Sequence, residues 1–189
     1  MSERLIVGCY PLVEGAKTPF QATEMSACYD LCACLHTETI KVHGRNMGIP
    51  IENFGTDKAF FRLFPDEMAL VPTGLVFIIP PTHHIKFYSR SGNTWKKMLK
   101  VANQPAVIDA DYTLESFVLL HNQSNDSLVI RDGDAIAQIE LVENTKVKFQ
   151  TIQDKNIFEN CVEEVKRFSS RDGGLGSTDG VGGVINTKA

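Results

Sequence analysis

No run of apolar residues in this chain approaches the roughly 18 that a membrane-crossing helix needs. Its opening, MSERLIVGCYPLVEG, has no signal-peptide core. The expectation is a soluble protein that stays in the cytoplasm, or in the host-cell cytoplasm if the gene is viral, with no membrane partner. Positive charge is equally sparse. Nineteen Lys and Arg face twenty-three Asp and Glu, for a net charge of -4. That excludes a broad nucleic-acid surface, which requires basic residues gathered on one face. It does not exclude a phosphate ligand in a cleft, where one or two cations suffice. The five cysteines (Cys9, Cys28, Cys32, Cys34, Cys161) are an odd count, so reduced thiols are expected rather than a disulfide framework. Cys28, Cys32, Cys34 and His36 lie close together, but not at zinc-finger or ribbon spacing, and no second CxxC exists. Cys32 and Cys34 are read instead as small core residues facing one way along an extended chain. His83 and His84 are adjacent, not four apart, so they read as surface loop rather than a metal pair. No Walker A lysine follows any glycine cluster.

What is present is a succession of short β-rich runs. Leu5–Val7, Ala27–Leu35, Phe60–Leu63, Ala69–Val71, Leu75–Ile79 and Ile85–Tyr88 are separated by proline and glycine. Leu114–Val142 reads as strand, turn, strand, turn, strand, and 145–153 as one further strand. Asn93–Ala102 is the one extended helical candidate, with Trp95, Met98, Leu99 and Val101 at a spacing that fits a helix turn but also a buried irregular segment. Residues 39–59 read as a long loop or decorated hairpin. There is no internal repeat. Many short strands with Pro/Gly turns imply an all-β sandwich or barrel, and 189 residues suffice for one domain. The expected division is a β domain over 1–168, with the 39–59 loop inserted, and a Gly-rich arm over 169–189 that cannot pack a core unaided.

Two features carry chemistry. Asp30 sits inside an apolar strand, where a carboxylate is costly to bury without a partner. It reads either as a turn cap or as an acid near a metal-phosphate site. In VANQPAVIDADYTLESFVLLHN, a strand over 103–108 meets a bend over 109–113, from which the chain returns in a strand at 117–120. Asp109 and Asp111 then share one face and Tyr112 takes the other. A carboxylate held at such a hairpin bend beside an aromatic suits a general base next to a ring-shaped ligand; its alternative is an Asp-rich β-turn.

Five short motifs, in order over nearly the whole chain, resemble the trimeric dUTPase family. Ala27-Cys28-Tyr29-Asp30-Leu31 is similar to AGYDL, and Arg90-Ser91-Gly92 to RSG. Val107-Ile108-Asp109-Ala110-Asp111-Tyr112 is similar to the third motif, with Asn103 at the family's distance before it. Gly133 with Ile136-Ala137-Gln138 matches GxxIAQ, and residues 173–178 resemble GGFGST. Pro72-Thr73-Gly74-Leu75 precedes the second motif. The resemblance implies a jelly-roll-like β-barrel forming a homotrimer with shared active sites. It implies hydrolysis of dUTP to dUMP and pyrophosphate, with water attacking the α-phosphorus and Mg²⁺ chelated by the triphosphate. On matching positions, Asp109 would activate the water and Tyr112 would lie against the deoxyribose. Asn103 and the main chain around Val107 and Ile108 would read the base. Arg90, Ser91, Gly92 and Gln138 would hold phosphates, and Asp30 would reach the metal through water. Arg171, Leu175, Gly176, Ser177 and Thr178 would close from the arm.

The chain departs from the family pattern at several points. Cys28 and Leu114 replace glycines, Leu175 replaces the arm's phenylalanine, and Ala135 replaces a common arginine. Arg171 stands one residue nearer the glycines than usual. These changes keep open the same chemistry on dCTP or a modified deoxypyrimidine triphosphate, or a regulatory binding protein on this fold. The sister dCTP deaminases need a glutamate ten residues beyond the aspartate. Leu119 stands there, which argues against deamination.

Overall fold

The computed structural model describes residues 5–168. Contacts divide the chain into two compact units, residues 1–145 and 146–189. The first holds every strand among the described residues: β1 (Gly8–Pro11), β2 (Tyr29–Cys32), β3 (Thr39–Val42), β4 (Ile49–Pro50), β5 (Phe60–Leu63), β6 (Met68–Pro72), β7 (Leu75–Ile78), β8 (His83–Tyr88), β9 (Leu99–Val101), β10 (Ala106–Ile108), β11 (Phe117–Asn122), β12 (Leu128–Arg131) and β13 (Ala135–Glu143). A single short helix, α1 (Ser91–Lys97), interrupts them.

Two larger antiparallel sheets, in the orders β10-β8-β13-β2 and β4-β3-β6-β11-β9, are joined by the pairs β1-β7 and β12-β5. This is a jelly-roll-like, all-β arrangement. Alternation makes it possible: β11 buries Val118, Leu120 and Asn122 and leaves the residues between them half-buried. From the first sheet come Leu31, Ile85, Phe87 and Ala137, and from the second Ile40, Ala69, Val71 and Leu120, into one apolar cluster. Phe77 and Phe87 meet edge to face, with centroids 6.4 Å apart. Asn122 is a fully buried polar residue in that core. Its amide donates to the Leu63 and Asp126 carbonyls, and its Oδ1 accepts from Ser124, so it organises the turn into β12.

Most runs read from sequence are strands within a residue or two, and the exceptions have physical causes. The first strand is Gly8–Pro11, not Leu5–Val7; Gly8 permits a close approach to Ile78, where a side chain would crowd. The helix is Ser91–Lys97 instead of Asn93–Ala102, because Met98 adopts a left-handed conformation (φ 50°) and ends it. Leu99 and Val101 then enter the core as β9 beside β11, and Trp95 is left exposed. Of the two readings of residues 39–59, the structure takes the hairpin: β3 and β4 pair antiparallel, and the segment buries Ile40, Val42, Ile49, Ile51 and Ala59. Residues 145–153 form no strand. In the second unit, helix α2 (Lys155–Lys166) begins at Asp154, whose side chain accepts from the Asn156 amide. It falls within the 1–168 span that sequence reading gave to the β domain.

Candidate active site

The bend after β10 exists, but not as a paired hairpin. β10 pairs with β8, whereas β11 pairs with β6 and β9, so the strands on either side of the bend run into different sheets. The Tyr112 amide donates to the Asp109 carbonyl at 3.1 Å and closes the turn. Asp109 and Asp111 are exposed, and Ala110 and Tyr112 are half-buried, as alternation predicts. The Tyr112 hydroxyl donates to the Glu115 carbonyl at 2.9 Å, which ties the ring to the start of β11. Val107, Ile108, Asp109, Asp111 and Tyr112 line a groove of about 470 Å³, floored by Leu70 and Phe117. Because β10 is the edge of its sheet among the described residues, its outer backbone groups have no strand partner there and are available to a planar ligand. Asn103 is exposed in the preceding turn and lines neither this groove nor the next.

A second, larger groove of about 750 Å³ opens beside α1 and is lined by Ser91, Thr94, Trp95, Gln138 and Cys28, among others. Its wall is set by Ser89. The Ser89 amide donates to Gln104 Oε1 (2.8 Å), its carbonyl accepts from Gln138 Nε2 (3.0 Å), and its hydroxyl accepts from the Val101 amide (2.8 Å). Tyr88 donates to Glu140 at 3.1 Å, and desolvation together with that carboxylate raises the phenol above its ordinary pKa. Burial, with Glu140 and Asp30 nearby, likewise raises the Cys28 thiol, so it remains protonated near neutral pH. Neither groove contains residues of the other.

Asp30 is buried, and its partner is Arg90. Nε reaches Oδ1 and Nη2 reaches Oδ2, each at 2.8 Å, while Nη1 donates to the Ala135 carbonyl at 3.2 Å. This resolves why an acid sits in an apolar strand: a two-pronged guanidinium offsets its desolvation. Each Asp30 oxygen accepts one hydrogen bond from Arg90 and keeps further acceptor capacity. Arg90 has three of its five N–H donors engaged, leaving two for an anion. Arg90 lines a separate small pocket with Asn93 and Ala135 rather than the groove that holds Ser91. Among the described residues no group of three or more His, Cys, Asp or Glu could hold a metal ion. The expected cysteine behaviour is seen: Cys32 and Cys34 are buried and free. Histidines 83 and 84 begin β8 instead of lying in a loop, and His84 Nδ1 is 2.6 Å from Asn144 Oδ1. Arg171, Leu175, Gly176, Ser177 and Thr178 lie outside the described residues.

Sequence reading missed His36 and Glu115. They are 79 residues apart, yet His36 Nε2 lies 2.8 Å from Glu115 Oε1, directly behind the bend. No local signal announces a pair of that kind.

Comparison with known proteins agrees with this geometry. The family model for dUTPase matches residues 58–178, well over half of the chain. The deoxyuridine 5'-triphosphate nucleotidohydrolase of Leptospira interrogans is 32% identical over 124 residues, 66% of this chain and 70% of that protein. The Aquifex aeolicus enzyme of the same name is 45% identical over 78 residues, 41% of this chain and 52% of its own length. In fold, the dUTPase of Staphylococcus aureus phage phi11 superposes with a TM-score of 0.61 at 18% identity, covering 79% of this chain and 97% of that one. The Streptococcus mutans dUTPase gives 0.58 at 19% identity, covering 75% and 99%. A jelly-roll-like fold, the motif order and the extent of these matches converge: the chain belongs to the dUTPase family of nucleotide hydrolases.

Proposed function

We propose that this protein hydrolyses dUTP to dUMP and pyrophosphate, with Asp109 as the general base, in sites assembled between copies of the chain. The observation that carries this is the separation of the two grooves. One offers a carboxylate, an aromatic ring and an unpaired strand edge. The other offers Ser91, Gln138 and adjacent amides. A nucleotide triphosphate needs both sets, and homotrimer formation is the arrangement in which the Asp109 bend of one copy meets the Ser91 groove of the next. Asp109 takes a proton from a water molecule, and the water oxygen bonds to the α-phosphorus. The bond from that phosphorus to the bridging oxygen breaks, and pyrophosphate leaves. The exposed edge of β10 at Val107 and Ile108, with Asn103, reads the pyrimidine edge. Once the base covers these groups, leaving one unmatched costs about 1–3 kcal/mol. Tyr112 lies against the sugar. Ser91, Gly92 and Gln138, with the two remaining Arg90 donors, hold phosphate oxygens. The arm residues Arg171, Leu175, Gly176, Ser177 and Thr178 close over the ligand.

The substrate is the magnesium complex of the nucleotide. The described residues supply no cage for the ion, so the triphosphate is its principal ligand, with Asp30 reaching it through water. The exposed Leu114 and the arm's Leu175, which depart from the glycine and phenylalanine of the motif pattern that the chain resembles, support a second reading in which another deoxypyrimidine triphosphate is taken by the same chemistry. Pyrophosphate release measured from each dNTP, dUTP and UTP separates these. The expected result is selective turnover of dUTP, lost by at least a hundredfold in D109N while the fold is kept. Robust turnover by D109N would remove Asp109 from its role.

A further inference from the structure

Tyr112 is anchored from behind by Glu115, three residues further on, and by what Glu115 in turn holds. Its hydroxyl donates to the Glu115 carbonyl. The Glu115 carboxylate is 13% exposed, and one oxygen, Oε1, receives both the Gly74 amide (2.8 Å) and His36 Nε2 (2.8 Å). The next residue is held to the same turn: the Ser116 amide donates to the Leu75 carbonyl (2.8 Å), and Thr73 Oγ1 donates to the Ser116 carbonyl (2.6 Å). His36 itself stands on a rigid base. The Leu35 amide donates to Asp132 Oδ1 (2.7 Å) and the Cys34 amide to the Pro72 carbonyl (2.9 Å). Gly74 has φ +67°, and a side chain there would strike Cys34 Sγ at 2.9 Å, so the turn and the His36 segment are packed without slack.

We propose that His36, acting through Glu115, is a positioning residue that fixes Tyr112 and thereby sets discrimination between deoxyribose and ribose nucleotides. The proposal rests on the reading of Tyr112 given above. An apolar wall by itself rejects an added hydroxyl only weakly, by about a hundredfold, and only if it cannot move aside. A ring held through its own hydroxyl to a fixed carbonyl cannot move aside. Without His36, the Glu115 carboxylate keeps one of its two donors to Oε1 and turns toward water. The carbonyl that holds Tyr112 is then fixed only through the Ser116 backbone bonds and the remaining Gly74 contact, and the ring yields more readily to a 2'-hydroxyl.

The test compares kcat/KM for dUTP and UTP in the full-length wild type, H36F and H36Q. H36F keeps a ring but no donor, and H36Q restores an N–H. H36F is expected to lower the dUTP:UTP ratio about tenfold, chiefly by raising UTP turnover, with dUTP turnover within about threefold of wild type. H36Q is expected to recover most of the ratio. H36N, too short to reach Glu115, gives the same reading if H36F does not fold. An unchanged ratio in folded H36F or H36N, or a parallel loss for both nucleotides, would overturn the proposal. A wild type that releases no pyrophosphate from dUTP would instead overturn the functional reading beneath it.

Discussion

Asp30 and Arg90, sixty residues apart, meet through two parallel 2.8 Å hydrogen bonds that join β2 to the start of α1. The two partners are unequally protected: the Asp30 side chain is 11% exposed and that of Arg90 32%. Removing the cation therefore strands the more deeply buried charge. R90A is expected to lose about 3 kcal/mol of stability, R90K somewhat less because a lysine lacks the fork, and D30N least. Urea denaturation checks the order, and an R90A variant within about 1 kcal/mol of wild type would show that the pair contributes little.

The proposed sharing of sites between copies has a quantitative consequence. D109N and Q138A, each expected to be inactive alone, place their lesions in different grooves. When the two are co-expressed at equal levels, about a quarter of sites receive an intact half from each chain, so about a quarter of wild-type activity returns. If both halves of a site came from one chain, every site would carry a lesion and no activity would return.

Alkaline stability follows from the buried thiols. Burial, with Asp132 and Glu115 adding to it, raises Cys34 from 9.0 to about 11. Cys32, Cys9 and Cys28 are raised as well, each chiefly by burial. The folded state holds these protons more tightly than the unfolded chain does. Their contribution is thus complete below pH 9 and is lost as pH rises from about 9 to 11. Tm is expected to fall over that window, and to fall less steeply in C34A. In the native protein at pH 8, a thiol reagent is expected to modify exposed Cys161 first and to leave Cys34 untouched.

Ser116 Oγ is buried without a hydrogen-bond partner, the one such side-chain atom among the described residues. Its backbone, not its hydroxyl, holds the turn. S116A removes an unsatisfied group with little change in shape, so it is expected to be neutral or to stabilise by about 1 kcal/mol, read as a rise in Tm. A loss of 2 kcal/mol or more would reveal a partner for that hydroxyl.

Legibility in the sequence followed locality. β5, β6, β7, β8, β11 and β13 were visible because β-branched and aromatic residues and their Pro/Gly boundaries lie within a few positions of one another. The segment Asn93–Ala102 was misread because Trp95, Met98, Leu99 and Val101 satisfy helical spacing. Only packing against β11 decides that the last residues form a strand. The Gly, Asn and Pro content of residues 39–59 left a loop and a hairpin both open; the β3–β4 pairing and five core side chains decide for the hairpin.

By itself, the order of residues determined the family motifs, the carboxylate at the bend with its neighbouring ring, and the run of short strands. Only the tertiary structure decided that Asp30 is answered by Arg90, that His36 stands behind Glu115, and that Asp109 and Ser91 face separate grooves. The reason is physical. Turns and alternation depend on neighbours a few residues away, but partners sixty or more residues apart are chosen by sheet register and core packing, where one residue of slip would exchange every inward and outward side chain.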